Sequence, residues 1–196
     1  AHRVVEFYAA KLWPGTLPDA LPIVTKNQSI IAPIEQIWSW SNWASQKQVC
    51  ARWQALFGNV FVKAATRQAI DGKVIRVFLQ LIEPVYVPEF ETDERGYLTY
   101  CRFDLPIEER VGDQTKTLTH TEIWDKATNS YRVWRHEKTP GTPMDQLGTP
   151  VDQRLITDFG FDFIPVVHIK FRDLGDKRGT GAFETSLDKI DEANRL

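Results

Sequence analysis

The chain has 196 residues, of which 42% are hydrophobic and 26% charged, and these are ordinary values for a globular domain. A net charge of −2, without a cluster of lysine and arginine, argues against nucleic acid as a direct, tightly bound partner. The two cysteines lack metal-ligand spacing and provide no disulfide framework, which indicates a reducing, intracellular setting, and no apolar run approaches the roughly 20 residues of a membrane helix.

Residues 1–57 have a helical hydrophobic period. The N-terminus predicts a short amphipathic helix that ends at Pro14-Gly15, followed by an irregular proline-rich segment. A second helix is expected near Pro33, because the fixed φ of proline suits a first helical turn. The apolar residues that follow fall into two stripes, which fits either one helix with two buried faces or two helices broken near Ser41-Asn42.

Two details of this helical part carry predictions of their own. If the helix breaks, Asn42 is the expected cap of the new start, and Gly58 is the expected stop. The second stripe holds Trp43, Cys50, Trp53, Leu56 and Phe57.

After Gly58 the period changes from 3.6 to 2, so residues 58–171 predict a mostly antiparallel β-meander. Asp71-Gly72 and residues 126–129 mark hairpin turns. The segment 83–91 contains two prolines and predicts an edge strand, whereas residues 138–157 predict an exposed loop.

Residues 163–171 predict the last strand, and residues 179–196 predict the start of a helix that continues beyond the chain end. N-terminal helices, a central meander and a C-terminal helix together make an α+β fold, which we interpret as a single domain over residues 1–196.

The loop Gly-Thr-Gly-Ala-Phe-Glu, residues 179–184, lies where a phosphate loop would lie. A dinucleotide fingerprint requires a third glycine, and Glu184 occupies that position. We therefore interpret the loop as a flexible joint in which Thr180 caps the helix and Gly181 allows a tight entry.

His120 and Glu122 lie on one face of a predicted strand. A metal site usually needs three or four ligands and only these two are present, so we interpret them as a polar pair on a solvated face rather than a metal or general-base site. His168 is interpreted as a strand histidine and Cys50 as a buried, inert thiol. The sequence thus predicts no catalytic residue, no cofactor site and no metal site.

Tryptophans at positions 38, 40, 43 and 53 point in several directions around the predicted helical region. A core covers some of them, but such a spread leaves an aromatic side chain exposed unless another element or subunit covers it. The candidate interface residues are therefore Trp38, Trp40 and Trp43.

Two segments resemble the portal proteins of tailed bacteriophages, which are the head-tail connectors of the virion. The first is WQALFGNVFVKA, residues 53–64, in which a helix passes through a glycine into a strand; the second is residues 164–196, with a strand, a joint and a helix. The residues that match the family signature are Gly58, Pro165, Gly181, Glu184, Asp191 and Asn194.

The resemblance implies a structural, non-enzymatic wing region of a portal subunit, located at the capsid vertex and assembled in the host cytoplasm. Portal subunits form a ring of about twelve copies, a dodecamer through which double-stranded DNA passes during packaging and ejection without being tightly bound. They contact terminase, head-completion proteins and capsid proteins, and neither a membrane nor a cofactor is implied. Because portal subunits are longer, this chain resembles a fragment of one.

Two other functions stay open. An aromatic-rich module that binds carbohydrate or peptide would expose Trp124 or Trp134 on a strand face. A hydrolase or nucleotide-binding enzyme would bring His120, Glu122 and the loop 179–181 into one pocket.

Overall fold

The structure, a computed structural model, describes residues 5–7, 25–68, 75–111 and 114–184. Two helices, α1 (Ile31–Trp40) and α2 (Trp43–Phe57), come first, and a strand-rich region follows, so the fold class is α+β as predicted. The strands are β1 (Asn59–Gln68), β2 (Ile75–Ile82), β3 (Glu89–Thr92), β4 (Leu98–Val111), β5 (Gln114–Asp125), β6 (Ser130–His136), β7 (Asp152–Leu155) and β8 (Val166–Lys170). None of the helices in the described ranges is long and apolar enough to cross a membrane.

The chain divides into two compact units. The helical unit comprises Ala1–Leu81 and His168–Leu196, and the sheet unit comprises Ile82–Val167. The interpretation of residues 1–196 as a single domain is a statement about cooperative folding, and it stays a prediction.

The predicted break between two helices is confirmed at Ser41-Asn42. Asn42 is the N-cap residue of α2 as predicted, but it adopts a left-handed conformation, with φ 48° and ψ 41°, and its side chain makes no capping hydrogen bond. Ser41 fixes the corner instead. Its hydroxyl donates to the Ile37 carbonyl at 2.5 Å and accepts the Leu79 N–H at 2.8 Å, which ties the end of α1 to β2.

Two residues of the predicted stripe, Trp43 and Cys50, are buried, and Lys47, Ala51 and Ala55 complete the buried face of α2. Ala51 and Ala55 are fully buried, whereas Leu56 and Phe57 are exposed. Small side chains allow the backbone of α2 to approach its neighbours closely, and the side of the helix that carries them is therefore the buried side. Cys50 is buried as predicted, and burial raises the pKa of its thiol to about 11, so the thiolate is disfavoured.

The helical unit also contains a three-stranded sheet with the order β2-β1-β8. The predicted turn Asp71-Gly72 lies outside the described residues, between β1 and β2. On the central strand, Val60 and Phe61 are fully buried. The ring of His168 on β8 stacks on Phe61, with centroids 4.6 Å apart and planes 11° apart.

The pH dependence of the helical unit should follow from His168. Burial, aided by the positive charges of Lys170 and Arg178, lowers the pKa of this imidazole from 6.5 to about 4. The unfolded chain therefore binds more protons than the folded chain between pH 6.5 and 4, so the free energy of unfolding should fall as the pH decreases through that window. The slope for one group is at most about 1.4 kcal/mol per pH unit.

Urea denaturation at pH 7 and pH 5 measures this dependence. His168→Gln should lose stability at pH 7 but show a smaller difference between the two pH values than the parent chain. An identical pH difference in the variant would contradict the assignment to His168.

The sheet unit is a five-stranded sheet with the order β3-β4-β5-β6-β7, and each neighbouring pair is antiparallel. The hairpin across residues 126–129 is confirmed, with Asn129 at φ 49°. The edge strand is confirmed only at Glu89–Thr92, because Pro84 opens a short 3-10 helix over Pro84–Tyr86.

The prediction that residues 138–157 form an exposed loop is wrong in part. This segment contains a 3-10 turn (Met144–Gln146) and strand β7, and Leu147 and Ile156 are buried. Leu147 packs with Ile123 and Trp134, so the segment covers one face of the sheet. The predicted C-terminal helix lies outside the described residues from position 185 onward, and so do Asp191 and Asn194.

Candidate functional site

Three glycines of the helical unit, Gly58, Gly179 and Gly181, meet backbone to backbone. We call this contact the glycine joint. Gly58 ends α2 with φ 76°, and its N–H donates to the Gln54 carbonyl at 2.9 Å. Its carbonyl accepts the Phe171 N–H at 2.7 Å, so α2 and the residue after β8 are directly connected.

The joint leaves no room for a side chain. A Cβ atom on Gly58 would lie 2.7 Å from the Gly181 nitrogen, and one on Gly181 would lie 2.9 Å from the Leu56 carbonyl oxygen. A Cβ atom on Gly179 would lie 2.9 Å from the Lys170 Cβ and closer still to the Gly58 oxygen. Glycine is therefore required by contact at all three positions, and at Gly58, with φ 76°, by conformation as well.

The hydrogen bonds of the 179–184 loop are made within the chain. The Thr180 N–H donates to the Arg172 carbonyl at 3.0 Å and the Ala182 N–H to the Ala55 carbonyl at 2.8 Å. The Gly181 N–H donates to the Glu184 carboxylate at 3.1 Å. In a phosphate loop such N–H groups would bind the ligand, so this arrangement favours a joint. Thr180 is buried, and its predicted capping role belongs to a helix outside the described residues.

Gly179→Ala should destabilise the helical unit by about 2–3 kcal/mol, because the added methyl group overlaps backbone and Cβ atoms that cannot move independently. Gly175→Ala is the matched control. Gly175 lies in the same unit with φ 93° and open space around it, so alanine there costs only about 1–2 kcal/mol of conformational strain.

Denaturation curves of the two variants against the parent chain check this difference. Equal losses at Gly179 and Gly175 would contradict a role for close contact.

The candidate interface tryptophans differ in burial. Trp43 is buried, and its ring lies 5.4 Å from that of Trp38. Trp38 and Trp40 belong to α1, which has no fully buried residue although its sequence is strongly apolar. The Arg76 guanidinium lies 5.8 Å from the Trp40 ring centroid. Trp38 and Trp40 are partly exposed on α1, as are its three isoleucines, and the buried Trp43 lies beside Trp38.

His120 and Glu122 share a face of β5 as predicted, but that face is not solvated at Glu122. The Glu122 side chain is 3% exposed, its carboxylate accepts the Trp124 indole N–H, and its other oxygen lies 3.7 Å from His120 Nε2. The physical reason is aromatic cover: Tyr131 and Phe159 pack on Trp124 from the same side of the sheet. The described residues contain no group of three or more possible metal ligands.

The aromatic-module alternative required an exposed Trp124 or Trp134. Trp124 is 3% exposed and Trp134 is 4% exposed, and the Trp134 indole N–H donates to the Gly148 carbonyl at 3.0 Å. Neither ring is available as a platform for a sugar or a peptide. For the enzyme alternative, His120 and Glu122 belong to the sheet unit and the 179–181 loop to the helical unit.

Sequence reasoning missed a buried polar network on the opposite face of the sheet. Arg102 is 1% exposed and Asp104 is fully buried, and they form an ion pair with Arg102 Nη2 3.0 Å from Asp104 Oδ2. Thr121 Oγ1 lies 2.7 Å from Asp104 Oδ1 and 2.9 Å from His136 Nε2. The available signal was alternation, since Arg102 and Asp104 occupy every second position of a strand whose other face is apolar.

The direction of these hydrogen bonds is determined. His136 Nδ1 accepts the Lys138 N–H at 3.2 Å, so in the neutral ring the proton is on Nε2, which donates to Thr121. Thr121 in turn donates to Asp104. Burial lowers the pKa of His136 and favours this neutral form, against a smaller opposing effect from Asp104.

The network also holds the segment that follows β6. Asp104 Oδ2 accepts the Gly141 N–H at 2.5 Å, Arg102 Nη2 donates to the Thr142 carbonyl at 2.7 Å, and Thr119 donates to the Lys138 carbonyl at 2.8 Å. These bonds explain why residues 138–142 do not form a free loop.

Asp104→Asn should destabilise the sheet unit by about 3–5 kcal/mol, because it leaves the charge of Arg102 buried without its main partner. Glu89→Gln is the matched control. Glu89 also contacts Arg102, at 3.5 Å, but its side chain is 55% exposed, so the loss should stay below about 1 kcal/mol. Thermal denaturation of both variants measures the difference, and similar losses would show that burial of the pair is unimportant.

No model of a known protein family matches the chain, and no curated protein matches it. The portal resemblance therefore depends on the signature residues themselves. Of these, Gly58, Gly181 and Glu184 lie together at the glycine joint, and Pro165 immediately precedes β8.

Proposed function

We propose that the chain is a structural domain of a bacteriophage portal protein, which forms part of a ring-shaped DNA conduit at the capsid vertex. The observation that carries this proposal is the glycine joint. The resemblance selected Gly58 and Gly181 from segments more than a hundred positions apart, and these two glycines touch, with Glu184 bonded to the Gly181 N–H. A set of signature residues that meets at one backbone contact is what a structural signature predicts.

The surface of α1 supports an assembling role. A ring requires a heterologous contact, in which one face of a subunit packs on a different face of the next. Interfaces are enriched in tryptophan, and Trp38 and Trp40 are partly exposed on a helix with no fully buried residue. We assign this face of α1 to the contact between subunits.

Charge is also consistent with a conduit. Tight DNA binding depends on many phosphate contacts by lysine and arginine, and a net charge of −2 does not supply a large basic surface. DNA would pass such a ring without being held. Terminase, head-completion proteins and capsid proteins are the partners that the proposal names.

The association state tests the proposal. In native mass spectrometry and sedimentation velocity, the chain, alone or extended past Leu196, should form concentration-dependent oligomers that converge on one closed ring. Trp40→Glu should weaken this association at least about tenfold, since it places a charge in an apolar interface.

Tyr97→Glu is the matched control. Tyr97 is 71% exposed and lies in the turn before β4, in the sheet unit, so this variant should associate like the parent chain. A strictly monomeric chain, with and without the extension, would contradict the proposal, and so would equal weakening by both variants.

A further inference from the structure

A cleft of about 500 Å³ lies in the sheet unit, at the end of the β6–β7 strand pair. Its register is defined by Ser130 opposite Leu155 and Arg132 opposite Gln153, so these four side chains share one face. The polar side chains that line it are Thr128, Ser130, Arg132, Gln153, Arg154 and Asp158. Neither the glycine joint nor the proposed α1 interface uses this cleft.

Most charged and hydroxyl groups in the cleft already have partners. Arg154 forms a two-point ion pair with Asp152, at 3.1 Å from Nε and 2.9 Å from Nη2. Asp158 accepts the Leu155 N–H at 2.9 Å. These groups fix the shape of the cleft, and their hydrogen bonds within the chain leave few donors or acceptors for a ligand.

The two hydroxyl groups are also committed. Thr128 donates to the Asp125 carboxylate at 2.7 Å. The short contact of 2.8 Å between Thr128 and Ser130 then requires the Ser130 hydroxyl to be the donor. Neither hydroxyl has a proton left for a bound molecule.

Arg132 is the exception. Its Nε atom is buried and has no hydrogen-bond partner. Its guanidinium lies 5.7 Å from the centroid of the Trp134 ring, which orients the planar group without satisfying its N–H donors. The rest of the Arg132 side chain is partly exposed and lines the cleft, so its terminal N–H groups are within reach of a ligand there.

We propose that this cleft binds a carboxylate, with Arg132 as the anchor. The fork of a guanidinium matches a planar carboxylate with two parallel hydrogen bonds. The Gln153 amide, at the register position opposite Arg132, supplies a further donor. The carboxylate of Asp158 in the same lining disfavours a phosphate dianion more strongly than a carboxylate, which has a single charge.

The carboxylate belongs either to a free small acid or to an acidic side chain of a protein. The recognition chemistry is the same for both sources. This inference is independent of the proposed portal function, because it depends only on the sheet unit.

The Arg132 Nε–H resonance is the direct readout. In a two-dimensional NMR titration at constant ionic strength, glutarate should shift this resonance in a saturable manner, with a dissociation constant around millimolar for so small a ligand. Glutaramide, the uncharged diamide, should not shift it, and inorganic phosphate should bind at least about tenfold more weakly.

Arg132→Lys should weaken glutarate binding about tenfold, because lysine keeps the charge but loses the fork. Arg76→Lys is the matched control: Arg76 also lies over a tryptophan ring, at 5.8 Å, but in the helical unit, and its replacement should leave binding unchanged. A short peptide with one glutamate, compared with glutarate, distinguishes the sources, and tighter binding of the peptide assigns the site to a protein side chain. A resonance that does not respond to glutarate, an equal response to glutaramide, or phosphate binding as tight as glutarate binding would overturn the proposal.

Discussion

The helical unit depends on the distance between two backbones. Where Gly58 meets Gly179 and Gly181, main-chain atoms are in contact, and the hydrogen bond from Phe171 to Gly58 fixes the exit from α2 relative to the end of β8. Repulsion at such distances rises steeply, so an added methyl group must displace the strand. Removing an apolar contact elsewhere has a more gradual effect, because neighbouring side chains can relax. The small residues Ala51 and Ala55 on α2 belong to the same constraint, since they allow the helix to lie close enough for the glycines to meet.

The sheet unit is specified in a different way. Burial of Arg102 and Asp104 has a desolvation cost that their mutual attraction only offsets when each remaining donor and acceptor finds a partner. Thr121, Gly141 and Thr142 provide these partners, and two of them lie on the segment after β6. The network therefore selects one position for a segment that has few apolar residues of its own. Leu147, packed against Ile123 and Trp134, adds the apolar part of that selection.

Features with a local cause could be predicted from the sequence. The helix break, the stop at Gly58, the 126–129 hairpin and the burial of Cys50 all follow from periodicity and turn chemistry within a few residues. Features that depend on distant partners could not. The buried Glu122 is bonded to Trp124, on which Phe159 packs, and Gly141 in the segment after β6 is bonded to Asp104. Asn42 begins α2 without a side-chain capping bond, and Ser41 ties that corner to β2.

The glycine joint and the Arg132 cleft differ in whether the chain itself satisfies their hydrogen-bond donors. Every N–H group named at the joint donates to an atom of the chain itself. The joint therefore fixes the path of the backbone and has few free donors for a ligand. Arg132 differs from the joint in this respect. Its guanidinium is held in place by Trp134 and by its strand, and its Nε donor has no partner in the chain. A structural subunit needs only the first kind of feature. The proposed recognition role of the sheet unit depends on the second kind, a partly exposed guanidinium that lines a cleft.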